Sequence, residues 1–184
     1  MRIALTTGSD PMRRLILFRH AKSDWPEGIA DQERPLAARG RQAAPRMGRY
    51  LADEGLRPDK VLVSPARRTR ETWDLVGAEF PAPPDSVSEP RIYEAPAARL
   101  LAVVREQAPE IQTLMLVGHN PGLEELADLL VQHGSTTARG AMDEKFPTGA
   151  VAVIDLPIDA WSAVAPESGR LDRFVTPRIL LGDS

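Results

Sequence analysis

Apolar residues along this chain fall into short blocks separated by polar turns. Residues 15–18 (LILF), 61–63 (VLV), 114–117 (LMLV) and 151–156 (VAVIDL) are rich in Leu, Ile and Val. Runs this short and continuous predict strands buried on both faces. Between them the apolar spacing lengthens to the helical period. Residues 36–54 are rich in Ala and Arg, place Met47 and Leu51 on one face, and stop at Gly55. Pro45 inside that stretch predicts either a kink or a later helix start. Residues 65–79 predict a second helix, with Ser64 as its N-cap and Pro65 at its first position. Residues 96–107 carry Leu100, Leu101 and Val104, and residues 122–133 carry Leu123, Leu126, Leu129 and Leu130; both spacings predict helices. The Pro-rich stretch 80–90 predicts a loop, and a last strand is expected around 173–176. Strands alternating with helices predict an α/β fold: one three-layer α/β/α domain around a mostly parallel sheet. That domain is expected to span 12–184, after an extension at 1–11 in which residues 2–7 form either an edge strand or a surface segment.

Composition narrows the chemistry. Hydrophobic residues make up 42% and charged ones 27%, ordinary for a globular chain. The net charge of −3 provides no basic field to attract nucleic acid or an anionic membrane. An anion site must therefore come from arginines placed locally. There is no cysteine, which removes disulfides, thiolate nucleophiles and zinc–thiolate sites. Three histidines, His20, His119 and His133, are too few for a multi-histidine metal cluster. No apolar run approaches the roughly 20 residues that span a bilayer, and MRIALTTGSDPM lacks the apolar core of a signal peptide. The expected location is the cytoplasm.

Three of the predicted strands end in polar chemistry. LILF runs into Arg19-His20, VLV into Ser64-Pro-Ala-Arg67-Arg68, and LMLV into Gly118-His119-Asn120. In open α/β sheets ligands bind beyond the carboxyl ends of the strands. Parallel strands would bring these ends to one edge, where two imidazoles, two or more guanidiniums and a helix N-terminus make a pocket for a small anion. Phosphate fits best, because arginine matches its oxygens with a bidentate fork. Within SPARRTRETW, Thr69, Trp73, Val76 and Phe80 form one stripe at about 100° per residue. Arg67 then points away from the core, whereas Arg68 flanks the stripe near the helix start, so Arg68 is the expected anion ligand and Arg67 and Arg70 form a solvated face. His133 is expected at a helix end, and Lys22 as a loop charge.

LFRHAKS, SPARRTRET and VGHNPG, in that order, resemble the motifs of the histidine phosphatase superfamily. RHAKSDW, DQERPLAARG and the PTGA of 147–150 are most similar to its small bacterial SixA-type phosphohistidine phosphatases. The resemblance covers residues 15–156. Ala21 and Pro26 stand where phosphoglycerate mutases of the superfamily carry Gly and Asn, which disfavours a mutase. Thr69 and Ala37 also depart from the family's common residues, outside the pocket set. The resemblance implies His20 as nucleophile, with Arg19, Arg68 and His119 stabilising the transferred phosphoryl group and His119 working as an imidazolium. It implies no cofactor and no metal. Ser23 and Asn120 join as further phosphate-binding candidates. Glu94, with Asp24 as the other choice, is the expected general acid. The expected partner is a phosphorylated protein carrying a phosphohistidine domain, or a small phosphoester. Two other readings are a small-molecule phosphomonoesterase and a non-catalytic phosphate- or phosphoprotein-binding module.

Overall fold

In the computed structural model, which describes residues 10–182, seven strands form one sheet. In chain order the elements are β1 (Arg13–Arg19), α1 (Ala38–Asp53), β2 (Lys60–Val63), α2 (Arg67–Gly77), β3 (Ser86–Ser88), α3 (Ala97–Arg105), β4 (Thr113–Gly118), α4 (Gly122–Leu130), β5 (Val131–Gly134), α5 (Thr136–Glu144), β6 (Val151–Leu156), β7 (Gly169–Val175) and α6 (Pro177–Leu181). The strand order is β3-β2-β4-β1-β6-β7-β5. β2, β3, β4 and β1 run parallel, as do β5 and β7; β6 is antiparallel to both β1 and β7. The sheet is thus mostly parallel, as expected.

Strand alternation divides the core in two. Leu15, Leu17, Leu62, Leu114 and Leu116 face α3 and α4 through Leu100, Leu101, Leu123 and Leu126. Ile16, Phe18, Val61, Val63 and Met115 face α1 and α2 through Met47, Leu51, Trp73 and Val76. Both faces are buried, which is why the central strands read as unbroken apolar runs rather than as alternating ones.

Several boundaries differ from expectation. Residues 80–90 are not all loop, because β3 pairs parallel to β2; its three residues are exposed and carry no apolar period. The helix expected over 122–133 stops at Leu130, and Val131–Gly134 becomes the edge strand β5 beside β7, so His133 lies on a strand and not at a helix end. Pro45 sits inside α1, which starts before it at Ala38. α2 begins at Arg67, and its N-cap is Ala66 rather than Ser64. Most of the 1–11 extension, including residues 2–7, lies outside the described residues. No helix among those described is long and apolar enough to cross a membrane.

Candidate active site

β2, β4 and β1 are neighbours in the sheet and point the same way, so their carboxyl ends meet. Arg19 ends β1 and His20 follows it; His119 follows β4; Arg68 stands in the first turn of α2, after β2. All four line one cavity of about 260 Å³. His20, Arg68 and His119 are buried, at 7%, 3% and 5% exposure. Arg67 and Arg70 are exposed. The helical stripe holds, with Thr69, Trp73, Val76 and Phe80 all buried, and it turns Arg68 toward the cavity.

The His20 ring is fixed by its own backbone neighbourhood. Nδ1 lies 2.7 Å from the Ala21 carbonyl oxygen, which can only accept. The proton therefore sits on Nδ1, and Nε2 keeps its lone pair. The segment is clamped from two sides. The Ala21 N–H donates to Thr72 Oγ1 at 3.0 Å, and that hydroxyl donates to the Arg68 carbonyl at 2.7 Å. The Gly149 N–H donates to the His20 carbonyl at 2.9 Å. Burial, together with the charges of Arg68 and Arg19, pushes the His20 imidazole down to about 3, against the Ala21 bond. The ring is neutral at pH 7, as a nucleophile must be.

His119 lies with its ring centroid 5.4 Å from that of His20. Its Nε2 and Ser64 Oγ are 2.7 Å apart. The Ser64 hydroxyl thus faces His119, and at the helix start it accepts a long bond from the Ala66 N–H at 3.4 Å. Burial first, then Arg68, pushes His119 down to about 3. The expected imidazolium is therefore disfavoured among these groups, and a bound anion would favour it.

Three buried donors or acceptors at this cluster have no partner among the described residues: Arg19 Nε, Arg68 Nε and His119 Nδ1. Buried polar atoms are nearly always satisfied. Three unsatisfied ones around a single cavity, two of them guanidinium donors, are what an oxygen-rich anion would complete.

Asp31 was not foreseen. Arg68 Nη1 donates to its carbonyl at 2.7 Å and Nη2 to its carboxylate at 3.1 Å. Tyr93 and Arg34 donate to the same carboxylate. Burial opposes its ionisation, yet the bonds from Tyr93, Arg34 and Arg68 outweigh that and hold the carboxyl well below the usual range. Asp31 is therefore a fixed anion that orients Arg68. Burial and the bond to Asp31 push the Tyr93 phenol up to about 12, so it stays a donor.

The remaining candidates separate. Glu94 lines the cavity with a side chain 57% exposed, 3.7 Å from Arg68 Nη2. Ser23 lines it too, but its hydroxyl accepts from Arg34 at 2.7 Å. Asn120 also lines it, with its amide donating to the Phe146 carbonyl at 3.0 Å, beside the bond that Arg19 Nη1 makes there at 2.9 Å. Asp24 is exposed, outside the lining, and contributes its backbone carbonyl to Arg34. Asp31, Arg34 and Tyr93 were missed because loop residues carry no periodicity. Only the i,i+3 spacing of Asp31 and Arg34 in DQERPLAARG hinted at a charged cluster.

Comparison with known proteins agrees with this fold. An uncharacterised protein of Mycobacterium tuberculosis is 37% identical over 163 residues, covering 88% of this chain and 100% of its own. A structure from Nakamurella multipartitia assigned as phosphohistidine phosphatase SixA superposes with a TM-score of 0.77 at 29% identity, covering 90% of this chain and 96% of that one. A second so assigned, from Agrobacterium tumefaciens, gives 0.75 at 31%, covering 90% and 99%. The profile of the histidine phosphatase superfamily (branch 1) matches residues 15–121. With more than half its length matched, and the matched strands framing the cavity, the chain belongs to the histidine phosphatase superfamily.

Proposed function

We propose that this protein is a metal-independent phosphatase that works through a phosphohistidine on His20 and acts on phosphohistidine in proteins. The observation that carries the reading is the fixed, neutral His20 with a free Nε2 beside unsatisfied donors on Arg19 and Arg68. A binding module needs the arginines but has no use for a nucleophile held in one tautomer. The likeness to two structures assigned as SixA supports the substrate class.

The geometry supports a two-step transfer. Nε2 of His20 attacks phosphorus; the new N–P bond forms as the bond to the leaving group breaks. Charge on the three equatorial oxygens is taken up by Arg19 and Arg68, and by His119 once it carries a proton. Water then attacks the phosphoenzyme, the N–P bond breaks, and phosphate leaves with His20 again neutral. A protonated imidazole leaving group departs unaided, whereas an alkoxide needs a proton. Asp31 cannot supply one near neutral pH, since its carboxyl is held ionised. Glu94, exposed at the mouth beside Arg68, is the remaining carboxyl placed to relay a proton from solvent.

The test is a substrate panel: phosphohistidine protein, free phosphohistidine and simple phosphoesters, compared by kcat/KM in EDTA. Phosphohistidine protein is expected to lead. His20→Ala should abolish turnover and the trapping of labelled phosphoenzyme. Turnover retained by that variant, or lost in EDTA, would sink the mechanism.

A further inference from the structure

Trp25 is 77% exposed, more than any other large hydrophobic residue among those described, and it lines the catalytic cavity. A lone apolar side chain on a surface is ordinary; the way this one is held is not. The Asp24 N–H donates to the Pro35 carbonyl at 2.9 Å, and Arg34 Nε donates to the Asp24 carbonyl at 3.0 Å. Ser23 bridges to Leu36 across the same turn. Pro26 confines the Trp25 backbone to extended conformations. The Arg34 guanidinium lies 3.2 Å from the centre of the indole ring. Arg34 is itself buried and tied to Ser23 and Asp31. One face of the indole is therefore covered by a fixed cation. At 77% exposure the opposite face is open.

A rigid, half-covered aromatic at the mouth of a phosphoryl site has a geometric consequence. A phosphoryl group seated at His20 must point its leaving group outward, past the exposed rim. We propose that the open face of Trp25 is a leaving-group subsite that stacks on a planar ring bonded to the phosphoryl group, either the imidazole of a phosphohistidine or an aryl ring. The proposal rests on the phosphatase reading above. A flat ring gains offset-stacking energy that an alkyl group does not. Because the indole is already fixed, little ordering entropy opposes the contact.

Two phosphonates that cannot be hydrolysed test the contact apart from the chemistry. Isothermal titration calorimetry reads both affinities, in the wild-type protein and in the variants that lack Trp25 alike. The wild-type protein should bind phenylphosphonate about fivefold more tightly than methylphosphonate. Trp25→Ala should collapse that ratio to about one, and Trp25→Phe should keep most of it. A ratio unchanged in Trp25→Ala overturns the proposal, including the case where both affinities fall together because Arg34 has lost its support. Kinetics then tell the two rings apart, using kcat/KM for a phosphohistidine peptide and for phenyl phosphate, each against glycerol phosphate. A selective loss for either ring supports the subsite, and a loss for neither overturns it. The binding ratio is read without turnover, so it can stand even where no phosphoenzyme forms on His20.

Discussion

At the scale of single residues, burial sets Arg68 apart from the other arginines of its helix as the proposed phosphate ligand. Arg67 pairs with Glu71 at 2.7 Å on the exposed helix face, and Arg70 donates to the Pro65 carbonyl. An exposed i,i+4 pair is worth only about 0.3–0.5 kcal/mol. Arg68 is 3% exposed, pinned by Asp31, and keeps Nε unsatisfied. Replacing Arg68 with Ala should lower kcat/KM for an aryl phosphate by about 100-fold or more, the loss seen when a transition-state donor is removed. Arg67→Ala should stay within about twofold. Comparable losses in the two variants would show that the face argument fails. The helical period made Arg68 legible in the sequence. Its partner Asp31 was not, because that contact spans 37 positions and starts from a loop. Ser64 was misread for a related reason. A hydroxyl before a helix suits a cap, and only the neighbouring strand brings His119 within its reach.

Among the elements, β1, β2, β4 and β6 were legible because burial on both faces leaves continuous apolar runs. β3 and β5 were not. β3 lies at the sheet edge with all three residues exposed, so its sequence records no core. In β5, Val131 and His133 continue the spacing of the leucines before them, and periodicity alone cannot see the chain turn extended at Val131. Close approach of elements is equally silent in a pattern. A Cβ at Gly122, the first residue of α4, would lie 2.1 Å from the Ala95 carbonyl oxygen, and one at Gly40 would lie 2.1 Å from that of Lys22. These two glycines let the helices press on the loops that carry Glu94 and the Lys22–Trp25 turn. Gly122→Ala should cost about 1–3 kcal/mol of stability through overpacking. If Glu94 relays the leaving-group proton as proposed, the variant should also lower turnover of alkyl phosphates more than that of phosphohistidine. Thermal unfolding and the two rates check both halves; an unchanged melting temperature would mean that the Ala95 loop yields freely.

For the whole molecule, the site and the fold draw on the same buried groups. His20 and His119 ordinarily titrate near 6.5, and burial, the leading cause for each, pushes both down to about 3 in the folded protein. Between those values the unfolded chain binds protons that the folded chain does not. Stability therefore rises with pH through this window: the contribution is complete above about 6.5 and is lost as pH falls toward 3. Asp31 acts with the same sign, but only near and below its ordinary 3.8. The upper part of the window thus belongs to the two histidines. The melting temperature should fall on going from about pH 7 to about pH 5, and His119→Gln, which cannot charge, should flatten that slope. Inorganic phosphate should flatten it as well. An anion that lets His119 take up a proton in the folded state removes the difference in proton binding that produced the slope. An equal slope in wild type and His119→Gln would mean that burial does not depress His119 and that the ring titrates near its ordinary 6.5 with no anion bound.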